Sequence, residues 1–119
     1  MSIPSPLPDP LVELIAERFR VIGEPLRIKL LDRLRGGDAS VGELTVAIGA
    51  TQQNVSRHLA VLHAAGIVSR QKVGTRVVYG IADQSVFALC ESVCGSLQQS
   101  VAELAELLGT STSDAGSRS

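Results

Sequence analysis

Thr51, Gln52, Gln53, Asn54, Ser56, Arg57 and His58 gather amide, hydroxyl and basic side chains on one short stretch, interleaved with Val55, Leu59 and Leu62. Gln and Asn donate and accept at once, so each can hold an adenine edge through two hydrogen bonds, while Arg and Ser suit a phosphate oxygen or a guanine. His58 is a candidate for the same DNA contact, with packing as its alternative. A second group, Arg70, Lys72 and Arg76, places three cations around Gly74 and Thr75, a spacing suited to phosphates or the adjacent minor groove. A third pair, Cys90 and Cys94, stands at i and i+4, about 6 Å apart along a helix axis. Two thiolates so spaced can share a soft ion, and a dimer can bring four together. Simple packing competes with that reading, because cysteine is among the most buried residue types.

Catalytic constellations are missing. The chain has two histidines, no glycine-rich phosphate loop and no nucleophile paired with a base at a recognisable spacing, so no enzyme is expected. His58 and His63 are five residues apart and fall on different faces of a helix, which disfavours a metal site made of the two alone. His63 suits the dipole at a helix C-terminus, or a harder ion such as nickel if acids from another element join it.

A net charge of −1 over 119 residues taken alone argues against nucleic acid. Its distribution argues the other way. Residues 44–82 contain no Asp or Glu but include Arg57, Arg70, Lys72 and Arg76, whereas the first 43 residues hold seven acids against six bases. The last 37 hold five acids against Arg118 alone. A cationic island between acidic flanks favours a phosphate backbone through counterion release.

The elements that would position these groups can be read from periodicity and punctuation. A flexible arm over residues 1–8, rich in proline, precedes a domain over 9–108 and a disordered Ser/Thr/Gly tail over 109–119. Asp9 is expected as N-cap with Pro10 at the first helical position, and Leu11, Leu14, Ile15, Phe19 and Ile22 recur at helical spacing up to Gly23. Leu26, Leu30, Leu31 and Leu34 make a second helix ending at Gly36. Ser40 and Glu43 form a capping box before Val41, Leu44 and Ile48, and Gly49 ends that short helix. Thr51 caps a fourth helix, closed by Gly66, with Val55, Leu59 and Leu62 facing inward. Two strands, 67–73 and 76–81, form a hairpin. Asp83 caps a long final helix to Leu108 whose seam is Val86, Cys90, Val93, Leu97, Val101, Leu104 and Leu108, a pattern that usually packs on another helix.

The pattern is mainly α with a small β-hairpin: a winged helix-turn-helix of about five helices and a two-stranded wing. The recognition helix begins at Thr51. The stretches GEPLRIKLLDRL, SVGELTVAIGATQQNVSRHLAVLHAAGIVSRQKVGTRVVYGI and ADQSVFALCESV resemble the ArsR/SmtB family of bacterial repressors over roughly residues 14–108. That resemblance implies a homodimer held by its first and last helices, reading an inverted repeat in double-stranded DNA and released by an effector; a cytoplasmic location is expected from the want of a membrane span or signal-like opening. The chain departs from both metal sites common in the family. Ser40, Val41, Gly42 and Glu43 stand where thiolate-type members carry Cys-x-Cys. In the last helix Asp83 matches a zinc-type ligand, but Ser85, Ser96 and Gln99 fall where the others would be. One carboxylate of four does not hold zinc. Cys90 and Cys94 are what remains for zinc, nickel, cadmium, arsenite or an oxidant. The alternatives are a regulator without an effector, controlled by a co-regulator protein, and a winged-helix module that binds protein. No apolar run is long enough for a membrane span.

Overall fold

The computed structural model describes residues 3–109. The expected tail lies outside these residues apart from Gly109, as do the first two residues of the expected arm. The elements are α1 (Asp9–Ile22), α2 (Pro25–Arg35), β1 (Ala39–Ser40), α3 (Val41–Ile48), α4 (Gln52–Ala64), β2 (Val68–Val73), β3 (Arg76–Ile81) and α5 (Gln84–Leu107). The chain divides into two compact units at Gln84 and Ser85.

In the first unit most helix boundaries follow local chemistry. Ser40 and Glu43 close the capping box in both directions, with Glu43 N–H donating to Ser40 Oγ at 3.2 Å and Ser40 N–H to Glu43 Oε1 at 3.0 Å. Gly49 ends α3 in the left-handed region at φ 74°, its N–H donating to Thr45 O, a conformation that penalises any side chain with a Cβ. Thr51 then caps α4 by accepting from Asn54 N–H at 3.2 Å. The start of α1 differs from expectation. Pro8, not Asp9, is the N-cap, and its carbonyl accepts from Leu11 and Val12 N–H, both at 3.0 Å. The proline ring fixes an extended entry one residue earlier, which leaves Asp9 in the first turn, where its negative charge is favourable at the positive end of the helix dipole.

The hairpin forms as read, with β2 and β3 antiparallel from Val68↔Ile81 to Val73↔Arg76 around Gly74 at φ 64°. It has a third strand that periodicity did not reveal. β1 pairs with β3 through Ala39↔Tyr79 and Ser40↔Val78, giving the order β1-β3-β2. Two residues are too few to show an alternating pattern, so only the pairing exposes this strand. It ties the wing to the residue that caps α3.

Beneath these elements lies a core of aliphatic side chains. Leu30, Leu31 and Leu34 from α2, Leu44 from α3, and Val55, Leu59 and Leu62 from α4 are buried with Ile67, Val68 and Tyr79 of the wing. Leu44, Val55, Leu59 and Leu62 are each 0% exposed, so α4 has the inward face that its i, i+4, i+7 spacing predicts.

His58 is the one buried polar residue among those described, at 5% exposure. The reading of His58 as a DNA contact is corrected by this burial: one residue from Leu59, its ring turns inward with the apolar face. Arg27 of α2 lies against it, with Nη1 3.2 Å from His58 Nδ1, and Arg27 Nε donates to Val21 O at 2.6 Å. The guanidinium therefore satisfies a carbonyl of the last turn of α1 and a ring nitrogen on α4 together. Because a guanidinium only donates, Nδ1 is the acceptor and the ring is neutral.

The second unit is described by α5. Val86 is buried near its start, and Cys90 is half-buried. Beyond them the seam is exposed: Val93, Leu97, Val101 and Leu104 are all at least half exposed. No helix among the described residues is long and apolar enough to cross a membrane.

Burial first, then the nearby Arg57 and Arg27 charges, holds the His58 pKa below its ordinary 6.5, against a smaller opposing pull from Glu24. An unfolded chain takes up this proton near the ordinary value while the folded chain resists it, so stability is full above that value and is lost as pH falls toward the lowered one. Urea midpoints measured at pH 7.5 and 5.5 are expected to drop on acidification. His58→Asn, which keeps an acceptor but cannot titrate, flattens this dependence; an unchanged slope in the variant contradicts the assignment.

Candidate nucleic-acid interface

The interface is built on the outward face of α4. Thr51, Gln52, Gln53, Asn54, Ser56 and Arg57 are all exposed, while Val55 and the His58-Leu59 pair point inward. The same rotation that buries the apolar stripe sets the amides toward solvent. Thr51 Oγ1 is committed to the Asn54 N–H, and Arg57 Nη2 donates to Asn54 Oδ1 at 3.3 Å. Asn54 thus bridges the N-cap and the first cation of the helix. Such an intrahelical contact between exposed groups is weak and exchangeable for a DNA partner.

Wing cations occupy two strands. Arg70 and Lys72 of β2 and Arg76 of β3 are exposed. Arg70 Nε donates to Tyr79 Oη at 3.2 Å across the ladder, where the two residues are directly paired. Tyr79 is itself buried, so its hydroxyl holds the guanidinium of Arg70 at Nε against the sheet. Arg76 Nη2 pairs with Glu43 Oε1 at 2.5 Å. Sequence reasoning found Glu43 as a capping residue and missed this second role; the available signal was that Glu43 is the last acid before the acid-free stretch. It missed the Arg27 contact to His58 as well, which no local spacing encodes because the two residues are 31 apart.

Electrostatics at this face follow the charge segregation in sequence, with one addition. The Glu43 carboxyl is held below its ordinary range, first by the Ser40 backbone N–H and hydroxyl and then by Arg76, so it remains an anion at neutral pH. An acidic group therefore stands beside the wing even though residues 44–82 have none.

The thiols present a different picture. Cys90 is half-buried, Cys94 is exposed, and both are free. Burial pushes the Cys90 thiol up, which reduces its thiolate fraction at neutral pH. Among the described residues no group of three or more His, Cys, Asp or Glu is arranged to hold a metal ion. His63 is exposed in the last turn of α4.

Known proteins share this arrangement. The profile of the bacterial regulatory protein arsR family matches residues 24–70, which take in α2, α3, α4 and the start of β2. The uncharacterized HTH-type transcriptional regulator Rv0081 of Mycobacterium tuberculosis is 38% identical over 82 residues, 68% of this chain and 72% of that one. Its crystal structure superposes with a TM-score of 0.74 at 33% identity, covering 81% of this chain and 97% of that chain. The homodimeric winged helix-turn-helix DNA-binding domain of Mb0332 from Mycobacterium bovis superposes with a TM-score of 0.67 at 28% identity, covering 80% and 91%. The antimony-specific transcriptional repressor AntR does so with a TM-score of 0.70 at 26% identity, covering 78% and 85%. An outward amide-rich second helix, a wing bound to the first helix of the pair, and relatives matched over most of their length lead to one conclusion: the chain belongs to the arsR family of bacterial transcriptional regulators and is not an enzyme.

Proposed function

We infer that the chain is a homodimeric repressor that inserts the N-terminal half of α4 into the major groove of an inverted-repeat operator. The observation that carries this reading is the outward set Gln52, Gln53, Asn54, Ser56 and Arg57, held in register by the fully buried Val55, Leu59 and Leu62 behind it. Gln52, Gln53 and Asn54 read base edges, with adenine as the natural partner of an amide. Thr51, Ser56 and Arg57 meet phosphates or a guanine, and Arg70, Lys72 and Arg76 meet the backbone beside them. His58 stays within the domain and supports the helix.

Surfaces that one chain leaves uncovered support the dimer. On α1, Leu14 is 68% and Phe19 53% exposed, and on α5 Leu97 is 60% and Leu104 56% exposed. Apolar rows of that length in water favour a partner, and the M. bovis relative is a homodimer. A second copy also doubles the thiols of α5. Each chain offers only Cys90 and Cys94, too few for a closed soft-metal site, whereas two chains offer four donors. An effector of the metal, metalloid or oxidant class acting through these thiols fits this donor set, and the similar AntR is named as antimony-specific. Control by a partner protein is the second reading, kept because the half-burial of Cys90 and its raised pKa weigh against a reactive thiolate there.

Three measurements test the reading. On the chain's own upstream DNA, Gln53→Ala is expected to cost about 1–3 kcal/mol with little effect on unrelated duplexes, while Arg57→Ala weakens every duplex and lowers the salt slope by about 1. Equal, weak binding to all duplexes, unmoved by Arg57→Ala, favours the protein-binding module instead. Leu97→Glu combined with Leu104→Glu is expected to give a monomer by light scattering and to weaken operator binding by about 100-fold or more, as the two half-sites lose their linkage. Titration with zinc, nickel, cadmium, arsenite or peroxide is expected to release DNA from the native protein and to leave Cys90→Ser/Cys94→Ser bound; a normal response in the double variant excludes the thiols.

A further inference from the structure

The wing meets the helix-turn-helix at two places of different character. β1 holds β3 by backbone pairing as far as Ser40↔Val78, and no pairing with β1 extends farther toward the turn. Two residues on, and on the same face of the strand, Arg76 reaches the carboxylate of Glu43. Glu43 Oε1 accepts from both Ser40 N–H and Arg76 Nη2, so a single oxygen joins the cap of α3 to the turn end of the hairpin. The backbone contact is permanent within the fold. The ionic contact is between side chains 60% and 51% exposed, the class of pair that contributes little and exchanges readily.

Arg76 is also one of the three wing cations assigned above to the DNA backbone. A guanidinium bound by a carboxylate presents the same fork that it would offer a phosphodiester oxygen. We propose that Glu43 is a positioning residue for DNA binding, whose carboxylate occupies Arg76 in the free protein as an internal stand-in for phosphate and yields it to the duplex in the complex. This rests on the reading of the wing as a DNA contact. The anion keeps the hairpin end aligned with α3 before binding, and it reduces the affinity of the wing for any phosphate until the rest of the interface is engaged.

The test is a double-mutant cycle on the full chain, with a 25-base-pair duplex of its upstream DNA. Glu43→Gln retains a capping-box residue at the third position of α3, so α3 keeps its start and the melting temperature checks the fold. The variant is expected to bind about two- to five-fold more tightly than the native chain, the range that loss of an exposed ion pair allows, and with a steeper salt dependence. In an Arg76→Ala background the same substitution is expected to change affinity by less than half as much, because no cation is left to release. Native binding with no gain on Glu43→Gln, or a gain that persists in full with Arg76→Ala, overturns the exchange and leaves the DNA reading standing. A native chain that shows no salt-dependent binding to duplex overturns the DNA reading itself, and the exchange with it.

Discussion

The rotation of α4 about its own axis is the constraint on which the rest depends. A helix has one angle at which Val55, Leu59 and Leu62 are all sealed from water, and at that angle the amides and Arg57 face out. Turning the helix by one residue, about 100°, would expose leucine and bury glutamine, and each buried unpaired amide costs about 1–3 kcal/mol. Apolar burial thus selects the reading face without any contribution from DNA. His58 shows how tightly the angle is held. It lies beside the leucine at the edge of the stripe and would be an orphan there, but Arg27 supplies its Nδ1 with a donor.

Arg27 connects this angle to the remainder of the unit. Its guanidinium caps a carbonyl at the end of α1 and meets α4 through His58, so three helices share one planar group. Planarity matters, because the five donors of a guanidinium are spread over separate nitrogens in fixed directions, whereas a lysine offers its three donors from a single nitrogen. On the opposite flank, Glu43 does comparable work with an anion, joining β1, α3 and β3. The two links differ in exposure, and that difference assigns them different roles: the half-buried Arg27 contact maintains the fold, while the solvated Glu43 contact is free to exchange.

Sequence made the helices and the hairpin legible because their signals are local. Capping residues, left-handed glycines and an i, i+4, i+7 stripe each act within a few residues, and at Ser40, Gly49, Thr51 and Val55 the chain obeys them. Where several local signals compete, the boundary moved: Pro8 took the N-cap from Asp9 because a ring-fixed φ outweighs a capping side chain. The long-range contacts were not legible. β1 is two residues long, Arg27 and His58 are 31 residues apart, and Glu43 and Arg76 are 33 apart, so no window of periodicity contains both partners. The outward placement of the α4 side chains was readable from the helix period, whereas that period left His58 between DNA contact and packing. Membership of the helix is a local property, but a residue at the edge of the apolar face is placed by whatever packs against it.

The two units are incomplete in different ways. In the first, a single chain supplies the amide-rich helix, its support and the wing, all within residues up to Gln84. In the second, α5 carries apolar side chains open to water and two thiols that cannot by themselves enclose an ion. Under the proposed dimer both deficits are removed by the same event, since a second copy covers the apolar row and doubles the donors. The proposed effector would act on that dimer, and a dimer sets the spacing of two recognition helices. Half-sites on a duplex are a full turn of about 34–36 Å apart, so a small change in that spacing penalises both contacts at once. Under that proposal an effector need not alter the angle of α4, which the core fixes; a change in the distance between its two copies is enough.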